Sequence, residues 1–229
     1  MIIFKISTAV SIFFVMLFST KAALSSTLIK VVDQHNTPLA NVVIEYLPAN
    51  IKFKKADPTE NLKENSPPVY VMDQLDKAFV PDLLVIPKNS LVSFPNSDDI
   101  RHHVYSFSAA KTFELKLYAG QPKEPVLFNN EGLVVMGCNI HDAMVGYIYV
   151  SNNDDVFISN EEGEVLINTT LSTGDKLQLW HANAKAGIDN RTLMAFDKLL
   201  INNNEVQLLL PVNSPVERNS FEDLFSHAH

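Results

Sequence analysis

The sequence predicts an all-β protein, and three observations support this. Short runs alternate apolar and polar residues with period two. Asn, Asp, Pro and Gly punctuate those runs, and few stretches repeat apolar residues every three or four positions. The chain has 229 residues, 46% hydrophobic and 19% charged, a globular composition long enough for two modest domains.

The elements follow in chain order. Met1–Lys5 is a short basic start, Ile6–Phe18 is almost wholly apolar, and Ser19–Ala23 supplies small residues with Ala22 as the preferred cleavage point. The apolar run is shorter than the ~20 residues that span a bilayer. Residues 1–22 therefore read as a signal peptide, which implies a periplasmic protein with no stable membrane insertion after cleavage; an uncleaved anchor is the alternative. Losing Lys5 and Lys21 takes the formal charge from −8 to −10. An acidic chain without a basic cluster is a poor partner for nucleic acid or anionic lipid.

Asn41–Leu47 reads as a strand, and residues 51–68, charged and proline-bearing, read as a linker. Residues 69–151 form one β region, in which Phe113, Leu115 and Leu117 share a strand face opposite Glu114 and Lys116. Ser151–Asp155 is a polar break. Residues 154–212 form a second β region, where Leu177 and Leu179 alternate with Lys176 and Gln178, and Val206, Leu208 and Leu210 repeat the pattern. Val71–Ala78 and Arg191–Leu200 each admit a helical turn or two. Residues 213–229 are a polar tail carrying His227 and His229.

The chemistry concentrates on the single cysteine, Cys138. An exported protein with one cysteine makes no internal disulfide, so the thiol is either buried and inert or put to use. It opens Cys138-Asn139-Ile140-His141-Asp142-Ala143-Met144, with cysteine, histidine and methionine spaced three and three apart between two strand-like runs. A loop this tight can turn three donors toward one point. Asn96–Val104, with His102 and His103, supplies a fourth at the start of another strand. Thiolate, two imidazoles and a thioether form a soft nitrogen–sulfur set. Structural zinc favours four cysteines or histidines, calcium and magnesium favour oxygen, and a His₂Cys plane with a weak axial Met is the blue-copper arrangement. Four protein donors leave no open position for a substrate.

At these residues the chain resembles the cupredoxins. Phe79-Val80-Pro81, Leu84–Ile86, Ser90–Phe94 and Asn96-x5-His102 are similar to the first half of that fold. Cys138-x2-His141-x2-Met144 followed by Val-Gly-Tyr-Ile-Tyr-Val is similar to its ligand loop and last strand, with the short amicyanin-like spacing rather than the longer plastocyanin-like one. The surrounding residues resemble exported cupredoxins of the methylamine utilisation type. The resemblance implies a Greek-key β-sandwich over about 80 residues holding one type 1 copper ion. Alternation puts His102 and His103 on opposite faces, so one of them is the ligand, and the Asn-x5-His spacing favours His102. The metal set is then His102, Cys138, His141 and Met144. His103 stands where the family has an asparagine that steadies the ligand loop; it is expected to hydrogen-bond Asn139, with Asn96 as further support. Asp142 stands where a proline is usual. Asp98 and Asp99 read as a solvated loop.

The flanking pieces, residues 27–50 and 154–212, resemble two halves of a carboxypeptidase-regulatory-like sandwich, with Asn36 in place of a turn glycine and Gly163 and Gly174 at later turns. A lone hairpin is marginal in water, so the halves are expected to pair around an inserted copper domain, with Trp180 in their core; three consecutive pieces are the plain alternative. The expected function is single-electron transfer by transient contact with redox partner proteins, with no enzymatic turnover. Copper storage, delivery or sensing with the same ligands, and a binding module with an incidental metal, are the competing readings.

Overall fold

The computed structural model describes residues 26–49, 67–122, 124–195, 200–202 and 205–214. The signal peptide, the linker except Pro67 and Pro68, and the tail beyond Ser214, with His227 and His229, lie outside the described residues. Among the described residues every regular element is a strand. β1 (Thr27–Val32) and β2 (Val43–Leu47) come first. Then follow β3 (Val69–Val71), β4 (Asp73–Leu75), β5 (Ala78–Val80), β6 (Leu83–Pro87), β7 (Ser90–Ser93), β8 (His102–Ser108), β9 (Lys111–Tyr118), β10 (Val126–Phe128), β11 (Gly132–Cys138) and β12 (Val145–Ser151). The last group is β13 (Val156–Ile158), β14 (Glu164–Ile167), β15 (Lys176–Trp180), β16 (Thr192–Ala195), β17 (Leu200–Asn202) and β18 (Glu205–Leu209).

The middle strands form a five-stranded sheet, β6-β12-β11-β8-β9, a three-stranded sheet, β10-β7-β3, and the β4–β5 hairpin. Met72, Phe79, Phe94, Val104, Phe128, Val134, Met136 and Ile148 fill the space between them, and Cys138 and Met144 belong to the same apolar cluster. The outer strands form two four-stranded sheets, β14-β1-β18-β17 and β13-β2-β15-β16. Ile29, Val31, Ile44, Val165, Leu177, Leu179, Val206 and Leu208 are buried between these. The molecule is thus all-β, with a sandwich of the cupredoxin type and a second small β-sandwich. β1 lies between β14 and β18, so its hydrogen bonds are made with strands that follow the middle region. Local turns fit this pairing. Asn36 takes φ 63°, and Gly163, at φ 71°, passes so close to β1 that a Cβ there would meet the Val31 carbonyl oxygen at 2.5 Å.

Four sequence expectations are corrected. Val71–Ala78 holds no helical turn: Asp76 and Lys77, at φ 52° and 59°, make a two-residue turn joining β4 to β5. Thr192–Ala195, expected to be helical, is β16, paired with β15; residues 196–199 lie outside the described residues. Leu117 leaves the face it was expected to share with Phe113 and Leu115 and is 52% exposed. The β8–β9 register shifts between His102 and Val104, and this bulge reverses the alternation and sets Tyr118 opposite His102.

Trp180 is the fourth correction. It lies outside the core of its own sandwich and packs with Val43, Leu83, Tyr147 and Tyr149, a cluster that joins the two sandwiches. Its ring is 5.6 Å from Tyr147 and 6.0 Å from Tyr149, and its indole N–H donates to the Ile188 carbonyl at 2.7 Å. Beside it the buried Glu45 accepts from the Ser151 hydroxyl and, at 2.8 Å, from Gln178 Nε2. The Arg191 guanidinium lies 4.7 Å from the centre of the Tyr149 ring, whose phenol burial pushes upward in pKa. β12 is therefore covered on both faces. Ile148 and Val150 enter the core of the middle sandwich, and Tyr147 and Tyr149 face the junction.

Candidate metal centre

β8 begins with His102, and β11 ends with Cys138, which lies opposite Val104, two residues along β8 from His102. Alternation along β8 buries the His102 ring completely and leaves His103 part-exposed on the other face. After Cys138 the chain turns back, and the Met144 N–H donates to the His141 carbonyl at 2.9 Å, which closes the loop before β12. The result brings three buried donors together: one atom each from His102, Cys138 and His141, all within 4.8 Å of one another. His102 Nδ1 is 3.6 Å from Cys138 Sγ, and the two imidazole rings are 5.4 Å apart. Met144 is buried at 1% exposure in the cluster that contains Cys138.

One orphaned atom tests whether these residues suit a metal. His141 Nδ1 is buried and has no hydrogen-bond partner, a costly state for a ring nitrogen unless a further atom meets it. His102 Nδ1 faces only the sulfur, because its other nitrogen is already used. A thiol, two imidazoles with lone pairs available, and a thioether in an apolar shell fit a soft, one-electron-active cation such as copper.

The surroundings hold His102 firmly. Its Nε2–H donates to Asp98 Oδ2 at 2.6 Å, since an ionised carboxylate can only accept. Asp98 is fixed in turn by the Asp76 N–H at 2.6 Å and the Lys77 N–H at 3.0 Å, and its own N–H donates to Asn96 Oδ1 at 3.1 Å. Burial alone would raise the Asp98 carboxyl. The hydrogen bonds from His102, Lys77 and Asp76 outweigh it and hold the group below the usual carboxylate value. Asn96 spans the loop, its Nδ2 donating to the Ile100 and Tyr118 carbonyls, both at 2.9 Å. Tyr118, opposite His102, donates to the Phe94 carbonyl at 2.6 Å and accepts from the fully buried Gln74; burial pushes its phenol up to about 12.

The structure places the supporting residues differently from the sequence reading. His103 does not hydrogen-bond the Asn139 side chain: its Nε2 is 2.8 Å from Glu114 on β9. The two residues meet through the main chain, where the Asn139 N–H donates to the His103 carbonyl at 3.1 Å. Asp98, read as solvated, is the residue the sequence reading missed. Its spacing of four before His102 was the available signal, but that spacing shows no partner until the chain is folded. From this geometry His102→Ala is expected to weaken copper(II) binding by more than about a hundredfold, whereas His103→Ala, which removes a surface pair worth ~1 kcal/mol or less, leaves it nearly unchanged. Copper titration of both variants checks this, and the reverse outcome would place the ligand one residue later.

No protein-family model matches the chain, and no curated protein does. Among solved structures, a copper-containing nitrite reductase (NirK) from Thermus scotoductus is 23% identical over 38% of this chain and 23% of its own, with a TM-score of 0.36. Amicyanin from Paracoccus versutus is 16% identical over 38% of this chain and 86% of its own, with a TM-score of 0.32. A purple cupredoxin from Nitrosopumilus maritimus is 21% identical over 37% of this chain and 99% of its own, also with a TM-score of 0.32. This chain spans less than a quarter of the nitrite reductase's length.

Proposed function

We propose that this chain is a periplasmic type 1 copper protein that carries single electrons between partner proteins met transiently. In this reading one ion is held by His102 Nδ1, Cys138 Sγ, His141 Nδ1 and the Met144 thioether. The observation that carries it is the buried His–Cys–His cluster with His141 Nδ1 left without any other partner. Copper bound there supplies a one-electron couple.

The chain's own residues do the rest. β8 and β11, hydrogen-bonded to each other, hold His102 and Cys138 at a set separation, and the 141–144 turn holds the other two donors. A site built on strands resists rearrangement when its charge changes, which favours fast electron exchange. Exposures of 0%, 3%, 9% and 1% for His102, Cys138, His141 and Met144 keep bulk water out and leave the His141 edge as the most accessible point. Four protein donors leave no place for a substrate, which supports a carrier over a catalyst. The same burial supports retention of the ion over its delivery or storage.

The test is the visible spectrum of protein loaded with copper(II). An intense thiolate-to-copper charge-transfer band is expected at one ion per chain. A colourless protein that binds zinc one-to-one, and copper no better, would overturn the proposal.

A further inference from the structure

We infer that Asp98 biases this centre toward the oxidised ion, acting through His102 to stabilise a doubly charged metal over a singly charged one. The inference rests on the copper reading above and concerns how its redox balance is set.

Three features point to this. The carboxylate meets the imidazole directly, with Asp98 Oδ2 at 2.6 Å from His102 Nε2, on the side of the ring away from the nitrogen that faces Cys138. A ring that donates to a carboxylate becomes a more basic ligand at its other nitrogen. Next, the charge is built in. Asp76 and Lys77 both have positive φ, so their successive N–H groups converge on one anion, at 2.6 Å and 3.0 Å. With the imidazole N–H, three donors meet one carboxylate whose side chain is only 8% exposed, and all three favour its ionised form. Finally, a main-chain carbonyl would orient the ring equally well. The fold instead uses the β4–β5 turn to hold a negative charge in a place largely shielded from solvent, where charge interactions are less screened than in water. A fixed negative charge favours the more highly charged ion.

Asp98 is thus a positioning residue with an electrostatic effect, and the two roles separate experimentally. Asp98→Asn keeps the size and one acceptor oxygen but removes the charge. Affinities for Cu(I) and for Zn(II), measured by chelator competition on the full chain, compare singly and doubly charged ions without reference to colour. In Asp98→Asn the Zn(II) affinity is expected to fall about tenfold more than the Cu(I) affinity, at the lower end of what lost outer partners cost. For copper itself the same tenfold bias raises the one-electron potential by about 59 mV. Equal losses for both ions, or no loss, would overturn the inference, because a purely structural brace acts on both alike. If Asp98→Asn does not fold, by circular dichroism, Asp98→Ser serves as the second neutral variant, with the same shift expected. If wild-type protein lacks the blue band yet shows the divalent bias, the electron-carrier reading fails and the role of Asp98 stands.

Discussion

Cys138→Ser is expected to lose the visible band completely while the protein stays folded. The band requires a sulfur electron pair close to copper(II), and a serine hydroxyl is neither a soft donor nor ionised near neutral pH. Binding falls as well. If ~10–16 kcal/mol of structural-site affinity is shared by four donors, each is worth about 3 kcal/mol, or more than a hundredfold in Kd. The fold has reason to survive. Cys138 is 3% exposed, and the smaller hydroxyl fits the space of the sulfur, although His102 Nδ1, 3.6 Å from the present sulfur, is too far to pair with it without a shift. Stability without metal should therefore fall by about 1–3 kcal/mol, the cost of one buried hydroxyl without a partner. Optical titration and thermal unfolding of the metal-free protein check both halves. A band that persists in the serine variant would remove Cys138 from the site.

The second large effect is expected far from the metal. Trp180→Ala should lower unfolding stability by ~3–5 kcal/mol, the range for truncating a large buried aromatic. Its ring, 1% exposed, lies between the second sandwich and the tyrosines of β12, and its loss opens a void that Tyr147 and Tyr149 cannot both fill without leaving their own contacts. The buried Glu45 carboxylate is nearby, hydrogen-bonded to Ser151 and Gln178, and water reaching it would loosen the same junction. Denaturant unfolding measures the loss. A cost below ~1 kcal/mol would mean that the junction contributes little to holding the two sandwiches together.

The sequence carried the local parts of the site and lost the parts that depend on distant chain. Cys138, His141 and Met144 are legible together because one run of seven residues holds them all. His102 is legible because strand alternation separates it from His103. Asp98 is not, because two aspartates beside an asparagine and a serine have the composition of a solvated loop. Its amide partners belong to a turn 21 and 22 residues earlier. That same turn explains the failed helical expectation at Val71–Ala78, since only the left-handed φ of Asp76 and Lys77, which residue types do not announce, ends β4 and starts β5. Leu117 was misplaced for a related reason: a bulge reverses the in–out pattern after Leu115, and period-two counting assumes no inserted residue. Trp180 was assigned to the nearer core, because a sequence shows that a tryptophan will be buried but not against which neighbour. The all-β architecture itself was legible throughout, from the alternation at Leu177–Leu179 and Val206–Leu210 and from the continuous apolar run of β12, buried on both faces.

β1 has one further consequence, in the order of events. Its two neighbours are β14 and β18, and the Gln34 side chain exchanges hydrogen bonds with Val212 across 178 residues of chain. A chain emerging from its N-terminus therefore makes β1 early and must leave both its edges open until nearly everything else has appeared. Such long-range pairing is slow to form and exposes unpaired strand to proteases and to other chains meanwhile. The middle sandwich has no such wait, since its strands complete one another by Ser151. Metal-site strands are thus assembled first and the enclosing sandwich is closed last, by the arrival of β18.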